Sequence, residues 1–252
     1  MDSKLKGTLR QFLPRSLRPH RILAGALRGA EIITSWHDYP SAILGRTERP
    51  LLKWFANNVR LGETWLDIGA QYGYTAIALS KLVGSTGRVF AFEPMIATAG
   101  CTSRTRFLNR LRQLTVIPVA LTNCADIEID VRKTINGMID STLNGSIGFH
   151  EPFVAANLDW LWPRISGSNQ QIHGAKIDVQ GMEISVLEGM ASLAKQFGPK
   201  LIVEMHEGVS RSKFLDLLAA LGYRSQGLPL EPLPDETRPV YADDRSYLFT
   251  AA

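Results

Sequence analysis

Residues 64–73 read Thr64-Trp65-Leu66-Asp67-Ile68-Gly69-Ala70-Gln71-Tyr72-Gly73. The apolar run Thr64–Ile68 predicts a strand, and Thr75–Val83 after it predicts a helix. Glycines between the two let the backbone approach a ligand closely, and the helix offers its N-terminus to that ligand. The turn is not a dinucleotide fingerprint, because GxGxxG would need glycine at Gln71. Nor is it a phosphate-cradling loop, since no Gly-Lys-Ser/Thr follows. Asp67 at the strand end repels a pyrophosphate but accepts hydrogen bonds from an ammonium. S-adenosylmethionine carries an ammonium and no phosphate, so the charge favours that cofactor.

Outward from this turn the pattern repeats. Arg88–Glu93 predicts a second strand, and Pro94 suits the first turn of a helix reaching about Arg112. Glu93 stands 26 positions after Asp67, where a carboxylate at a strand tip can accept from both ribose hydroxyls. Thr115–Ala120, Ala175–Val179 and Leu201–Met205 predict three more strands. Helical stripes follow at Ile184, Leu187, Met190 and Ala191 and at Phe214, Leu217, Leu218 and Leu221. Continuous apolar strands alternating with helices imply a parallel sheet covered on both faces. The end of the chain breaks the rhythm. Tyr223–Gln226 and Ser246–Thr250 predict an antiparallel hairpin, with the proline-rich stretch 227–239 as a loop. Between 122 and 168 the pattern predicts a short strand at Ile127–Val131, a loop at Asn136–Gly148 and a helix at Asn157–Ile165. The expected fold is α/β: a doubly wound, mostly parallel seven-stranded sheet with an antiparallel C-terminal hairpin. Residues 1–60 are expected to form a basic helical extension and 61–252 the cofactor-binding domain.

A chain of 252 residues with 45% hydrophobic content accommodates one such domain and a short extension. No apolar run reaches the ~20 residues of a membrane span, and the N-terminus lacks the apolar core of a secretory signal. Cys101 and Cys124 match no metal-ligand spacing and are expected as free thiols, consistent with a cytoplasmic address. The net charge of +4 is uneven. Residues 1–28 hold Lys4, Lys6, Arg10, Arg15, Arg18, Arg21 and Arg28 against Asp2 alone, a local charge of +6. The basicity therefore belongs to the N-terminal segment, not to a nucleic-acid-binding core. Leu17, Ile22, Leu23, Ala26 and Leu27 in that segment suggest an amphipathic helix that docks as a lid or dimer element.

Several segments together resemble FkbM-type methyltransferases: residues 65–94, Val116–Asn123, Asn157–Leu161, Lys176–Met190 (KIDVQGMEISVLEGM) and Leu201–His206 (LIVEMH), in the family's order and spacing. They run from Trp65 to His206, a little over half the chain. The resemblance implies a Rossmann-like class I methyltransferase using S-adenosylmethionine. It places Asp67, Gly69, Gln71 and Gly73 around the methionine end of the cofactor, Glu93 and Pro94 beside the ribose, and Ala120 and Leu121 near the adenine; Tyr72, flanking the glycine turn, is expected to cover the cofactor. Asp178 is placed at the methyl-transfer site. One position departs from the pattern: Gln180 stands where the family usually has Glu.

The fourth strand is not followed by the Asn/Asp-Pro-Pro-aromatic run of many nitrogen methyltransferases, and no cysteine lies near enough for carbon-directed chemistry. Oxygen methylation is left. The resemblance implies the same, with a hydroxyl on a sugar, glycolipid or small natural product as the acceptor. An RNA-directed enzyme and a non-catalytic cofactor-binding module are the alternatives. A buried carboxylate such as Glu204 after Leu-Ile-Val needs a partner. Strand tips lie ~5 Å apart, so Asp178, Glu204 and His206 can converge. The expectation is His206 as general base, oriented by Glu204, with Asp178 at the reacting centre. Mg²⁺ held by the carboxylates is the second choice, because histidine is an uncommon Mg²⁺ ligand.

Overall fold

The computed structural model describes residues 12–135, 138–139, 149–167 and 170–252, with the backbone alone at 131–135, 138–139 and 149–150. Its centre is a seven-stranded sheet in the order β12-β13-β11-β10-β3-β4-β5. The strands are β3 (Thr64–Ile68), β4 (Arg88–Phe92), β5 (Leu114–Ile117), β10 (Gly174–Ile177), β11 (Lys200–Met205), β12 (Leu228–Pro229) and β13 (Arg245–Phe249). β3, β4, β5, β10 and β11 run parallel, β13 joins them antiparallel to β11, and β12 forms the edge antiparallel to β13. The chain winds outward from β3 through β4 to β5, then returns to the far side of β3 as β10. The sheet therefore has its switch point between β3 and β10, where ligands of this architecture bind.

Period-two alternation divides the core between the two faces. Leu66 and Ile68 of β3, Ala175 and Ile177 of β10, and Leu201, Val203 and Met205 of β11 fall in one apolar cluster. Trp65 and Ile202 join the cluster on the other face. Asp67, Lys176 and Glu204 share that second parity, so the sheet presents a line of charge on one face near its carboxyl end.

The helices of the domain are α3 (Tyr74–Val83), α4 (Ile96–Leu108), α5 (Leu158–Ser166), α6 (Glu183–Gly189), α7 (Ala191–Phe197) and α8 (Arg211–Ala220), preceded by α1 (Pro40–Ile43) and α2 (Arg49–Asn58). Asn157 caps α5 by accepting from the Trp160 amide at 3.2 Å. The expected strand at Thr115–Ala120 ends instead at Ile117. Pro118 lacks the N–H that a ladder needs, and Ala120–Leu121 (β6) joins a different sheet. That four-stranded sheet, β6-β9-β7-β8, contains β7 (Ile127–Ile135), β8 (Met138–Ile139) and β9 (Phe149–Ala156) and was not anticipated. Of the expected loop 136–148, residues 136–137 and 140–148 lie outside the described residues. The C-terminal hairpin is corrected too. Tyr223 makes only an isolated bridge to Ala251, and the strand paired with β13 is β12, inside the stretch expected as loop.

The N-terminal expectation also changes. Residues 1–11 lie outside the described residues. Arg18–Arg21 (β1) and Glu31–Thr34 (β2) form an antiparallel hairpin where an amphipathic helix was expected. Pro19 and the positive φ of Gly25 and Gly29 explain why no helix forms. Ile22 and Leu27 are buried, whereas Leu17 and Leu23 are exposed. The hairpin is fastened to α4: Asn109 bonds both the amide and the carbonyl of Glu31, and the Ile33 amide donates to Thr105 Oγ1. Among the described residues no helix is long and apolar enough to cross a membrane.

Candidate active site

A cleft of about 960 Å³, counted out to bulk solvent, lies over the carboxyl ends of β3, β4 and β10. The glycine turn forms its floor. Gly69 has φ +83°, and a Cβ there would sit 1.8 Å from the Asp178 carbonyl oxygen. Only glycine lets the β3 and β10 turns pass so closely. The Gly69 and Ala70 amides both donate to the Phe92 carbonyl at 3.0 Å, which ties the turn to the end of β4. Glu93 follows at that end. Its Oε2 accepts from the Gln71 amide at 2.8 Å, and its Oε1 accepts from the Met95 amide at 3.1 Å and Thr98 Oγ1 at 2.9 Å. Burial nevertheless keeps its pKa above the usual carboxylate value, against those hydrogen bonds and the Lys176 charge.

Of the expected cofactor-binding residues, Gly69, Gln71, Glu93, Pro94, Ala120, Leu121 and Asp178 line this cleft. Three expected members do not. Asp67 is fully buried behind the cleft wall, where it accepts from Thr75 Oγ1 at 2.6 Å. Gly73 packs against Thr102. Tyr72 is buried beside Tyr39, with ring centroids 6.3 Å apart, and Tyr74 lines the cleft instead. Trp162 is core, edge-on to Phe90 at 4.8 Å, and Trp160 lies under Arg164.

Lys176 is the first residue the sequence reading missed. It lies directly opposite Asp67 on the neighbouring strand, 3.7 Å from Asp67 Oδ1 and 2.9 Å from Asp178 Oδ2. Burial favours its neutral form, but Asp178, Asp67 and Glu48 outweigh burial and hold the ammonium charged. Asp67 titrates above its ordinary value because burial exceeds the help from Lys176 and Thr75. Tyr39 and Glu48, from the N-terminal extension, also line the cleft. Glu48 is raised by burial and by Asp178 and Asp67, against Lys176. The cleft therefore presents Glu48, Glu93 and Asp178 against a single ammonium, an environment that suits a cation.

At the tips of β10 and β11 the structure brings Asp178, Glu204 and His206 together. The β10–β11 register, Ile177 opposite Val203, continues to set Asp178 opposite Glu204. His206 Nε2 lies 3.4 Å from Asp178 Oδ1 and 3.8 Å from Glu204 Oε1. One ligand atom from each residue lies within 4.8 Å of the others, close enough to share a cation. Asp178, however, already receives the Lys176 ammonium. The expected orienter of His206 is corrected. Glu183 Oε1, not Glu204, meets His206 Nδ1 at 2.7 Å, and Glu204 faces the other ring nitrogen. Arg211 fixes the backbone here by donating to the carbonyls of His206 and Val209, both at 2.7 Å.

Burial, then Asp178, pushes the Glu204 carboxyl up to about 7, against Lys176 and His206. For His206 burial works downward, but the Glu183 hydrogen bond and the charges of Asp178, Glu183 and Glu204 raise its pKa overall. Glu204 also lines a second cavity of about 610 Å³, shared with Glu48, Leu230 and Ser246. Glu48 borders both cavities and His206 borders neither.

A doubly wound sheet, a glycine turn after its first parallel strand and a carboxylate at the tip of the next define a class I S-adenosylmethionine-dependent methyltransferase. The chain belongs to the FkbM family: residues 67–225 match the family described as the methyltransferase FkbM domain. Among solved structures it is similar to an FkbM methyltransferase from Methylobacillus flagellatus KT, at 17% identity and TM-score 0.50. That match covers 79% of this chain and 47% of the other, so the chain spans about half the length of that protein. It is also similar to an O-methyltransferase from Bacillus cereus in complex with SAH, at 15% identity and TM-score 0.49, covering 81% of this chain and 80% of that one. No curated protein matches the sequence. The cofactor is S-adenosylmethionine, and the residues present fit it: a Gly69 floor without Cβ, a buried carboxylate at Glu93 and an acidic lining without a phosphate cradle.

Proposed function

We propose that this protein methylates a hydroxyl of a sugar, glycolipid or small natural product, and that Glu204 and His206 together accept the hydroxyl proton. The observation that carries the reading is the convergence of Asp178, Glu204 and His206 at the strand tips between the two cavities. Bound S-adenosylmethionine supplies an electrophilic methyl on a sulfonium. Gly69, Gln71, Glu93, Ala120 and Leu121 bind and orient it, and Asp178 faces the transfer point. The second cavity receives the acceptor, with Glu204 on its wall. An alcohol must lose its proton as the bond to carbon forms, and a base with a pKa near the working pH does this best. Glu204, at about 7, meets that condition, and His206 stands 3.8 Å behind it, in reach of the same proton through one water. Glu48, which borders both cavities, supports a role for the N-terminal extension as a cover over the acceptor side.

Glu204 must be ionised to accept a proton, so turnover is expected to rise as pH increases through about 7. Stability moves the opposite way. Between pH 4.5, its ordinary value, and about 7 the folded chain holds a proton that the unfolded chain has released, so this contribution to stability falls as pH rises through that window. A pH–rate profile tests the first statement, and thermal melts across the same range test the second. The acceptor class is tested by supplying methyl-labelled S-adenosylmethionine to a cell extract containing the protein. Label in an ether of a sugar or small molecule supports the proposal; label confined to RNA or to nitrogen refutes it. Inhibition by EDTA that added Mg²⁺ reverses would move proton removal to a metal.

A further inference from the structure

We propose that Glu183 is the positioning residue of this proton acceptor: it holds His206 Nδ1 as an N–H donor and so turns Nε2 toward Asp178 and Glu204. The inference deepens the proposed function and rests on that reading. Glu183 is fully buried, although it stands in the first turn of α6, where an acid that only complemented the helix dipole would face solvent. Its Oε1 lies 2.7 Å from His206 Nδ1 and also accepts from the Gly181 amide at 3.2 Å. Its Oε2 is buried with no hydrogen-bond partner among the described residues. A carboxylate in that position is costly unless a cation compensates it. The imidazole is the group placed to do so.

The groups facing His206 argue for the part each ring nitrogen plays. From α6 comes Glu183, on the Nδ1 side. From the tip of β10 comes Asp178, itself bound to Lys176, and from β11 comes Glu204, both on the Nε2 side. From α8, Arg211 meets His206 at its backbone carbonyl rather than at the ring. A ring whose Nδ1 proton is committed to Glu183 can exchange a proton with Glu204 only through Nε2. This is the arrangement in which an orienting carboxylate fixes the tautomer of a catalytic histidine and stabilises the imidazolium. Glu183 need not touch the acceptor or the cofactor to do this, and it lines neither cavity.

The test is nitrogen-15 NMR of the ring nitrogens in the full-length protein, with the His206 signals assigned by comparison with His206→Ala. In the wild-type protein the neutral ring is expected to carry its proton on Nδ1, and to titrate with a midpoint above 6.5. Glu183→Gln keeps an acceptor oxygen but not the charge. It is expected to preserve the tautomer, lower the midpoint, and cut kcat by about tenfold or more with the acceptor KM unchanged. Glu183→Asp is expected to restore part of the midpoint shift. A wild-type neutral ring protonated on Nε2 overturns the inference without any variant, as does an unchanged midpoint in Glu183→Gln. A role for Glu183 confined to stability would lower the melting temperature and leave tautomer and midpoint alone, which also overturns it. Failure of the broader reading is separate: full turnover in His206→Ala, with the tautomer as expected, removes the pair from the reaction while the NMR result stands.

Discussion

His206→Ala is expected to slow methyl transfer by roughly 10²–10⁴-fold, the usual worth of a general base, while S-adenosylmethionine affinity is retained. The separation follows from position. His206 borders neither cavity, so its loss removes no contact to cofactor. It does remove the proposed proton relay for Glu204, 3.8 Å away, and it leaves Glu183 buried without its partner. Steady-state turnover with labelled cofactor and the acceptor found in extract measures the first effect, and calorimetry measures the second. Loss of cofactor binding in parallel with turnover would mean that the substitution disturbs the strand tips rather than the chemistry. Full activity would take His206 out of the mechanism.

Lys176→Met is expected to destabilise the fold by about 3–5 kcal/mol, because it strips the cation from a buried ion cluster and leaves the carboxylates in place. Asp67 is fully buried and Asp178 lies 2.9 Å from the Lys176 ammonium. Methionine fills similar volume, so the loss reports charge rather than a cavity. At roughly 2–4 °C per kcal/mol for a chain of this size, the melting temperature should fall by about 10 °C. The deficit should shrink as pH falls, since Asp67 can then become neutral by taking a proton. An unchanged melting temperature at neutral pH would contradict the account of the cluster. Lys176→Met with Asp67→Asn should recover part of the loss, because no unpaired charge then remains at Asp67.

Much of this site was legible because strands and turns speak locally. The run at 64–68, the glycines after it and Glu93 at the next strand tip outline the candidate cleft through their spacing, and the adjacency of β10 and β11 lets Asp178, Glu204 and His206 be grouped. Lys176 could have been found by parity. It is the one cation in an otherwise apolar buried strand, in step with Asp178, and so needed acids opposite it. Glu183 gives a similar signal: with Val186, Leu187 and Met190 it falls on the i, i+3, i+4, i+7 stripe of its helix, whereas the stripe expected from the sequence begins at Ile184. A carboxylate on an apolar stripe calls for a partner, and His206 is its side-chain partner. Asp67 was legible as important but not as withdrawn, since nothing local shows that Lys176 would engage it. Tyr39 and Glu48 carried no signal, because their place in the cleft depends on how the N-terminal hairpin docks on α4. The second sheet was hidden by Pro118, which ends one strand and starts the chain toward another.

The cleft between β3, β4 and β10 is expected to hold S-adenosylmethionine through Glu93 and the glycine turn. Isothermal titration calorimetry of the full chain tests it most directly. The wild-type protein is expected to bind S-adenosylmethionine and to bind NAD more weakly. Glu93→Ala should weaken S-adenosylmethionine by about tenfold or more, since charge-assisted hydrogen bonds are worth roughly 1.5–3 kcal/mol. Unchanged affinity in Glu93→Ala, or tighter binding of NAD than of S-adenosylmethionine by the wild-type protein, would contradict it.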